Sequence, residues 1–85
     1  MKILKFGSKT CGPCMAMSNN LKKLKIDYVN CEVDESEDLI DKYDITSIPT
    51  LIAIDDEDEE VDRLTGFGTL EATKNWYNKL LEQHV

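Results

Sequence analysis

Cys11-Gly12-Pro13-Cys14 sets two thiols three positions apart, directly after a short apolar run, and that spacing suits the opening and closing of a disulfide. If a helix starts at Gly12 or Pro13, residues three apart share one face with Cβ atoms roughly 5–6 Å apart, close to the separation a disulfide bridges. Pro at the first helical position adds no unsatisfied donor and presets φ, while Gly beside it leaves the approach to Cys11 open. Cys11 then stands at the helix N-terminus, where unpaired N–H groups and the helix dipole favour an anion, so its thiolate is the stabilised form. A thiol of pKa about 8.5 is about 3% ionised at pH 7, and one lowered to about 7 is half ionised. That difference turns a bystander into a nucleophile.

The competing reading of the pair, half of a zinc site, needs two further ligands. Cys31 and His84 are poorly placed to supply them, so no metal is expected. Cys31 alternates with Val29 and Val33 and reads as a buried, inert thiol, and His84 reads as a solvated terminal residue. Met15 and Met17, flanking the dithiol, read as packing residues. The run Asp55 to Glu60 has the charge for calcium but lacks the alternation and central glycine of a binding loop, and is expected to be a solvated hairpin tip.

The elements that must position the thiols follow from periodicity. Ile3, Leu4 and Phe6 form a strand ending at Gly7-Ser8. Cys14, Met17, Leu21 and Leu24 recur at helical spacing, which buries Cys14 and leaves Cys11 outside. Ile26 to Val33 alternates as a second strand with Val29, Cys31 and Val33 on one face. Ser36 is expected to start a helix whose stripe is Leu39, Ile40 and Tyr43. Thr50 to Ile54, apolar throughout, reads as a strand covered on both faces, and Val61 to Thr65 as its hairpin partner. Thr69 is expected to cap a last helix with Thr73, Trp76, Tyr77, Leu80 and Leu81 inward. The order is β-α-β-α-β-β-α: a four-stranded mixed sheet flanked by three helices, and a single domain over 1–85.

A chain of 85 residues with 41% hydrophobic and 32% charged residues has an ordinary globular composition with room for one core. Leu51 to Ile54, the longest apolar run, is too short to span a bilayer, and no secretory leader is legible at the start. Three cysteines with two nearly adjacent make no disulfide framework, so the cytoplasm is the expected compartment. A net charge of −7 argues against nucleic acid and anionic membranes as partners. Six of the ten basic residues nonetheless fall within the first 25 positions, where no acid precedes Asp27, so the thiol-bearing end is the positive one.

This order, with a dithiol at the first strand-to-helix junction, resembles the thioredoxin family. Thr10-Cys11-Gly12-Pro13-Cys14 contains that family's Cys-Gly-Pro-Cys, Ile48-Pro49-Thr50 is similar to its Ile-Pro-Thr segment, and Gly66 falls where it keeps a glycine beside the same groove. The resemblance implies a minimal thioredoxin fold near glutaredoxin size, without the family's usual leading strand and helix, and a cis Pro49 facing the dithiol. It also implies an enzyme that reduces protein disulfides through a mixed disulfide on Cys11, resolved by Cys14. Its redox-active group would be the Cys11–Cys14 disulfide, with no bound cofactor. It would act as a monomeric electron carrier in cell redox homeostasis, recharged by a thioredoxin reductase-type donor. Thr10, Gly12, Pro13, Ile48, Pro49 and Gly66, joined by Phe67, would line the docking surface. Pro49 lacks an N–H, and the carbonyl and amide of Ile48 would be left to pair with an extended partner chain.

Two residues depart from the family pattern. Thr10 stands where thioredoxins usually carry Trp, and Lys5 replaces the buried aspartate usually found six positions before the first cysteine. That acid is thought to assist proton transfer at the second cysteine, so Lys5, if it points under the dithiol, would favour thiolate by charge instead. A glutathione-dependent, glutaredoxin-like enzyme is the close rival, disfavoured by Gly-Pro between the cysteines and by the interruption in Gly66-Phe67-Gly68. A non-catalytic interaction module on the same fold is the alternative of another class.

Overall fold

Five consecutive residues from Ile3 to Gly7 are buried, which is the pattern of a strand with neighbours on both edges and layers on both faces. The computed structural model describes residues 1–83, and this strand, β1 (Lys2–Gly7), lies at the centre of its sheet. The other elements are α1 (Gly12–Lys23), β2 (Val29–Glu32), a 3₁₀ turn (Val33–Glu35), α2 (Glu37–Tyr43), β3 (Thr50–Ile54), β4 (Glu60–Thr65) and α3 (Leu70–Gln83). The sheet order is β2-β1-β3-β4. β1 and β2 are parallel, joined by α1 as the crossover, and β3 runs antiparallel to both β1 and β4. The predicted sheet and helices are all present.

Alternation along β1 divides the core into two layers. Ile3 packs with Leu51 and Ala53 of β3, Met17 and Leu21 of α1, Ile26 and Leu80 of α3. Leu4 and Phe6 point the other way, onto Ile52, Ile54, Cys31 and Tyr43 of α2. Leu21, Leu51 and Ile52 are completely enclosed, each stabilising the fold by about 1.5–3 kcal/mol relative to exposure. β3 is buried along its whole length, as its unbroken apolar run predicts.

Local chemistry sets the ends of the elements. Thr69 Oγ1 accepts the N–H of Ala72 at 3.1 Å, the expected cap of α3. Asp55 Oδ1 accepts the N–H groups of Glu57 and Glu59 at 2.8 and 3.0 Å, so the acidic segment is an exposed, self-organised tip between β3 and β4. Arg63 of β4 holds Glu60 with two hydrogen bonds and donates a third to the carbonyl of Tyr43, tying the sheet edge to the end of α2.

The structure corrects several expectations. β2 is only four residues long, and Val33 belongs to the 3₁₀ turn. Cys31 is buried but Val29 is 45% exposed, because β2 is an edge strand and α2, seven residues and so about 10 Å long, covers only part of it. Leu81 is exposed: residue 81 turns about 100° away from Leu80, outside a packed stripe of Thr73, Trp76, Tyr77 and Leu80. Met15, expected to pack, is exposed on α1. Ser36 makes no side-chain cap bond at the start of α2. The reading of His84 lies outside the described residues.

Candidate active site

β1 ends at Gly7, and the loop of residues 8 to 11 carries the chain into α1. Cys11 is the residue that caps that helix: its Sγ accepts the N–H of Cys14 at 3.1 Å, and its carbonyl accepts the N–H of Met15 at 3.2 Å. Pro13 sits in the first turn, and no acidic residue stands there to compete with a thiolate. Cys11 and Cys14 form a disulfide with Cα atoms 5.2 Å apart. Their surroundings differ in the predicted sense, Cys11 being partly exposed and Cys14 completely buried. Around Cys11 the surface is open. Thr10, Gly12 and Pro13 are exposed, and a Cβ placed on Gly12 would meet nothing within 4 Å.

Behind the disulfide the packing is tight. A Cβ on Gly7 would lie 3.0 Å from Cys14 Cβ and 3.1 Å from Cys14 Sγ, so Cys14 would have to give by a few tenths of an ångström to admit one. The same missing group would lie 3.5 Å from Nζ of Lys5, which is itself only 5% exposed. Lys5 and Asn30 are register partners on β1 and β2, and Lys5 Nζ donates to Asn30 Oδ1 at 3.3 Å. Asn30 Nδ2 in turn donates to Glu32 Oε1 at 2.9 Å. Lys5 therefore does point beneath the dithiol, on the α1 face of the sheet.

The turn before β3 and the loop after β4 are bonded to each other. The Ile48–Pro49 bond is cis. Thr50 Oγ1 donates to the carbonyl of Ser47 at 2.8 Å, closing the turn around the buried Pro49, and the carbonyl of Pro49 accepts the N–H of Gly66 at 2.8 Å. Gly66 has φ +84°, which an L side chain rarely adopts. Neither the N–H nor the carbonyl of half-buried Ile48 takes part in a backbone hydrogen bond among the described residues. Asn20, buried on α1, donates to the carbonyl of Gly68 at 3.2 Å and anchors this loop, while Phe67 is 51% exposed. Cys31 lies apart, in the α2 core layer, and burial pushes its thiol up, away from the reactive thiolate form.

A dithiol capping a helix, together with a cis-Pro turn before a buried strand, is a combination found in a known family. The thioredoxin family model matches residues 1–79. This chain belongs to the thioredoxin family. It is 35% identical over 82 residues to the thioredoxin of Bacillus subtilis, covering 89% of this chain and 78% of the relative. It is 28% identical over 67 residues to a prophage-derived thioredoxin-like protein of the same species, covering 79% of this chain and 84% of the relative. The structure of thioredoxin 1 from Thermosipho africanus superposes with a TM-score of 0.74 at 27% identity, covering 96% of both chains.

The protein is a thioredoxin-type protein disulfide oxidoreductase, and Cys11–Cys14 is its redox-active disulfide. Of the residues predicted from sequence, Gly12 and Pro13 open α1 between the two cysteines, Pro49 follows a cis bond, and Gly66 has a positive φ. Sequence reading missed Gly7, Asn20, Asn30 and the bond from Thr50 to Ser47. A glycine four positions before the first cysteine and a polar Asn20 beside an apolar helical stripe were the available signals. Asn30 had none without the β1–β2 register.

Proposed function

We propose that this protein reduces disulfides in partner proteins in the cytoplasm, as a monomer, with a thioredoxin reductase-type enzyme rather than glutathione as its electron source. The observation that carries this reading is the hydrogen bond from Cys14 N–H to Cys11 Sγ, which supplies a ready donor to the sulfur of a partly exposed residue. In the reduced protein, the Cys11 thiolate attacks one sulfur of a partner disulfide. A Cys11–partner bond forms, and the partner's other sulfur leaves with the electron pair and takes up a proton. Cys14, once deprotonated, attacks Cys11 Sγ. The internal disulfide forms, the second partner sulfur departs as a thiol, and two electrons have passed from the dithiol to the partner.

Docking is assigned to Thr10, Gly12 and Pro13 on one side and to Ile48, Pro49 and Gly66 on the other. The N–H and carbonyl of Ile48, which make no backbone hydrogen bond among the described residues, support strand-like pairing with the partner backbone. Lys5 is assigned a tuning role through its charge. Two of the three cysteines are spent on the redox pair and the third is buried, which supports a reducing compartment.

Insulin reduction tests the assignment. Turnover is expected with NADPH and thioredoxin reductase, and at most a trace with glutathione and glutathione reductase. The opposite preference would make the protein glutaredoxin-like. A Cys11→Ser, Cys14→Ser double variant that kept full biological activity would instead establish a docking module without catalysis.

A further inference from the structure

A lysine on the central strand, 5% exposed, is costly to bury unless something holds it. Lys5 is held by one side chain, Asn30, whose amide is fixed between opposite charges: its oxygen accepts from the Lys5 ammonium and its nitrogen donates to the Glu32 carboxylate. The register makes this arrangement unavoidable, since Lys5 is opposite Asn30, Gly7 is opposite Glu32, and all four lie on the α1 face. Lys5 Nζ and Cys14 Sγ both come within 3.5 Å of one point, the place a Cβ on Gly7 would occupy. A cleft of about 370 Å³ opens from Lys5 to solvent between α1 and β2. The charged or titratable groups on its walls are Lys9, Tyr28 and Glu32, and its other walls are Ser8, Met15, Ser18 and Asn30.

We propose that Lys5, oriented by Asn30 and Glu32, is the positioning charge that brings Cys14 to its thiolate when the mixed disulfide is resolved. The inference rests on the reading of Cys11 and Cys14 as the exchanging pair, and adds a device for the second half of the reaction. Cys14 is enclosed, and burial alone opposes its ionisation. A positive charge across the gap left by Gly7 offsets that penalty. The Cys14 proton passes to solvent, the thiolate bonds to Cys11 Sγ, and the Cys11–partner bond breaks with its electron pair on the partner sulfur. Glu32 turns the Asn30 oxygen toward Lys5, so removing either residue releases the ammonium toward the cleft.

The two halves of the reaction separate with a chromogenic aromatic disulfide, dithiobis-nitrobenzoate, mixed with the reduced protein in a stopped-flow instrument. Cys11 attack releases the first thionitrobenzoate and Cys14 resolution releases the second. In Lys5→Met the pH profile of the second release is expected to move up by about one unit, a slowing of about tenfold at neutral pH. The first release should stay within about twofold. Lys5→Arg should recover most of the loss. Asn30→Ala, at an exposed position, should shift the same profile in the same direction by a smaller amount. A second-release profile that coincides with wild type in both Lys5→Met and Asn30→Ala overturns the proposal, and so does an equal slowing of both releases. If Lys5→Met does not fold, Asn30→Ala decides alone. A wild-type protein that releases no thionitrobenzoate would instead sink the thiol-exchange reading itself.

Discussion

Gly7 shows how much a single missing methyl group can control. Its absent Cβ would stand 3.0 Å from Cys14 Cβ, a contact with no flexible end to swing away. Gly7→Ala is therefore expected to cost about 1–3 kcal/mol as an overpacked site, measured by urea denaturation of the oxidised protein, and to displace Cys14. Unchanged stability would mean that α1 gives way freely, against the tight seating described above. The residues of the dithiol were legible because their chemistry is local: the spacing of Cys11 and Cys14, the intervening Gly-Pro and the later Ile48-Pro49 are written along the chain. The roles of Gly7 and Asn30, and the bond from Thr50 to Ser47, were not. These depend on which residue of another segment stands opposite, and that information appears only when β1 pairs with β2 or the turn before β3 closes.

Among the elements, those with strong periodicity or unbroken apolar runs, β1, α1, β3 and α3, were readable nearly to their ends. β2 was not, because an edge strand only partly covered by a short helix need not keep its alternation. The clamp between β4 and α2 was also invisible in sequence, since Arg63 reaches both Glu60 and the carbonyl of Tyr43. The Arg63 hydrogen bonds hold the Glu60 carboxyl below its ordinary range, with its charge adding to them and partial desolvation opposing. Arg63→Ala should lower stability by about 1 kcal/mol at neutral pH, given that the pair is partly exposed. A carboxyl depressed in the folded state stabilises fully above its unfolded pKa, about 4.3, and loses that contribution as the pH falls through its folded value. The gap between wild type and Arg63→Ala in thermal unfolding is therefore expected to narrow as the medium is acidified below about pH 4. A gap that stays constant to lower pH would place the loss elsewhere, in the bond to Tyr43.

At the scale of the whole molecule, β1 separates two charged ends. Lys2 pairs with Ile54, next to the acidic tip, while Gly7 lies against Cys14. Six residues of extended chain span roughly 20 Å, more than twice the screening length of about 8 Å at physiological salt. The acidic tip therefore gives the protein much of its net charge without burdening the site. Glu57→Gln with Glu59→Gln should leave the rate of Cys11 alkylation by anionic iodoacetate unchanged within about twofold at 0.15 M ionic strength. A large acceleration would reveal a longer-ranged field than this geometry allows.

The bond from Cys14 N–H to Cys11 Sγ exists while the two sulfurs are still joined. The cradle for the anion is thus assembled before any anion is born, and reduction asks for little rebuilding of the surrounding polypeptide. Such a molecule behaves like a fixed electrical socket, whose throughput is governed by how often a matching plug arrives.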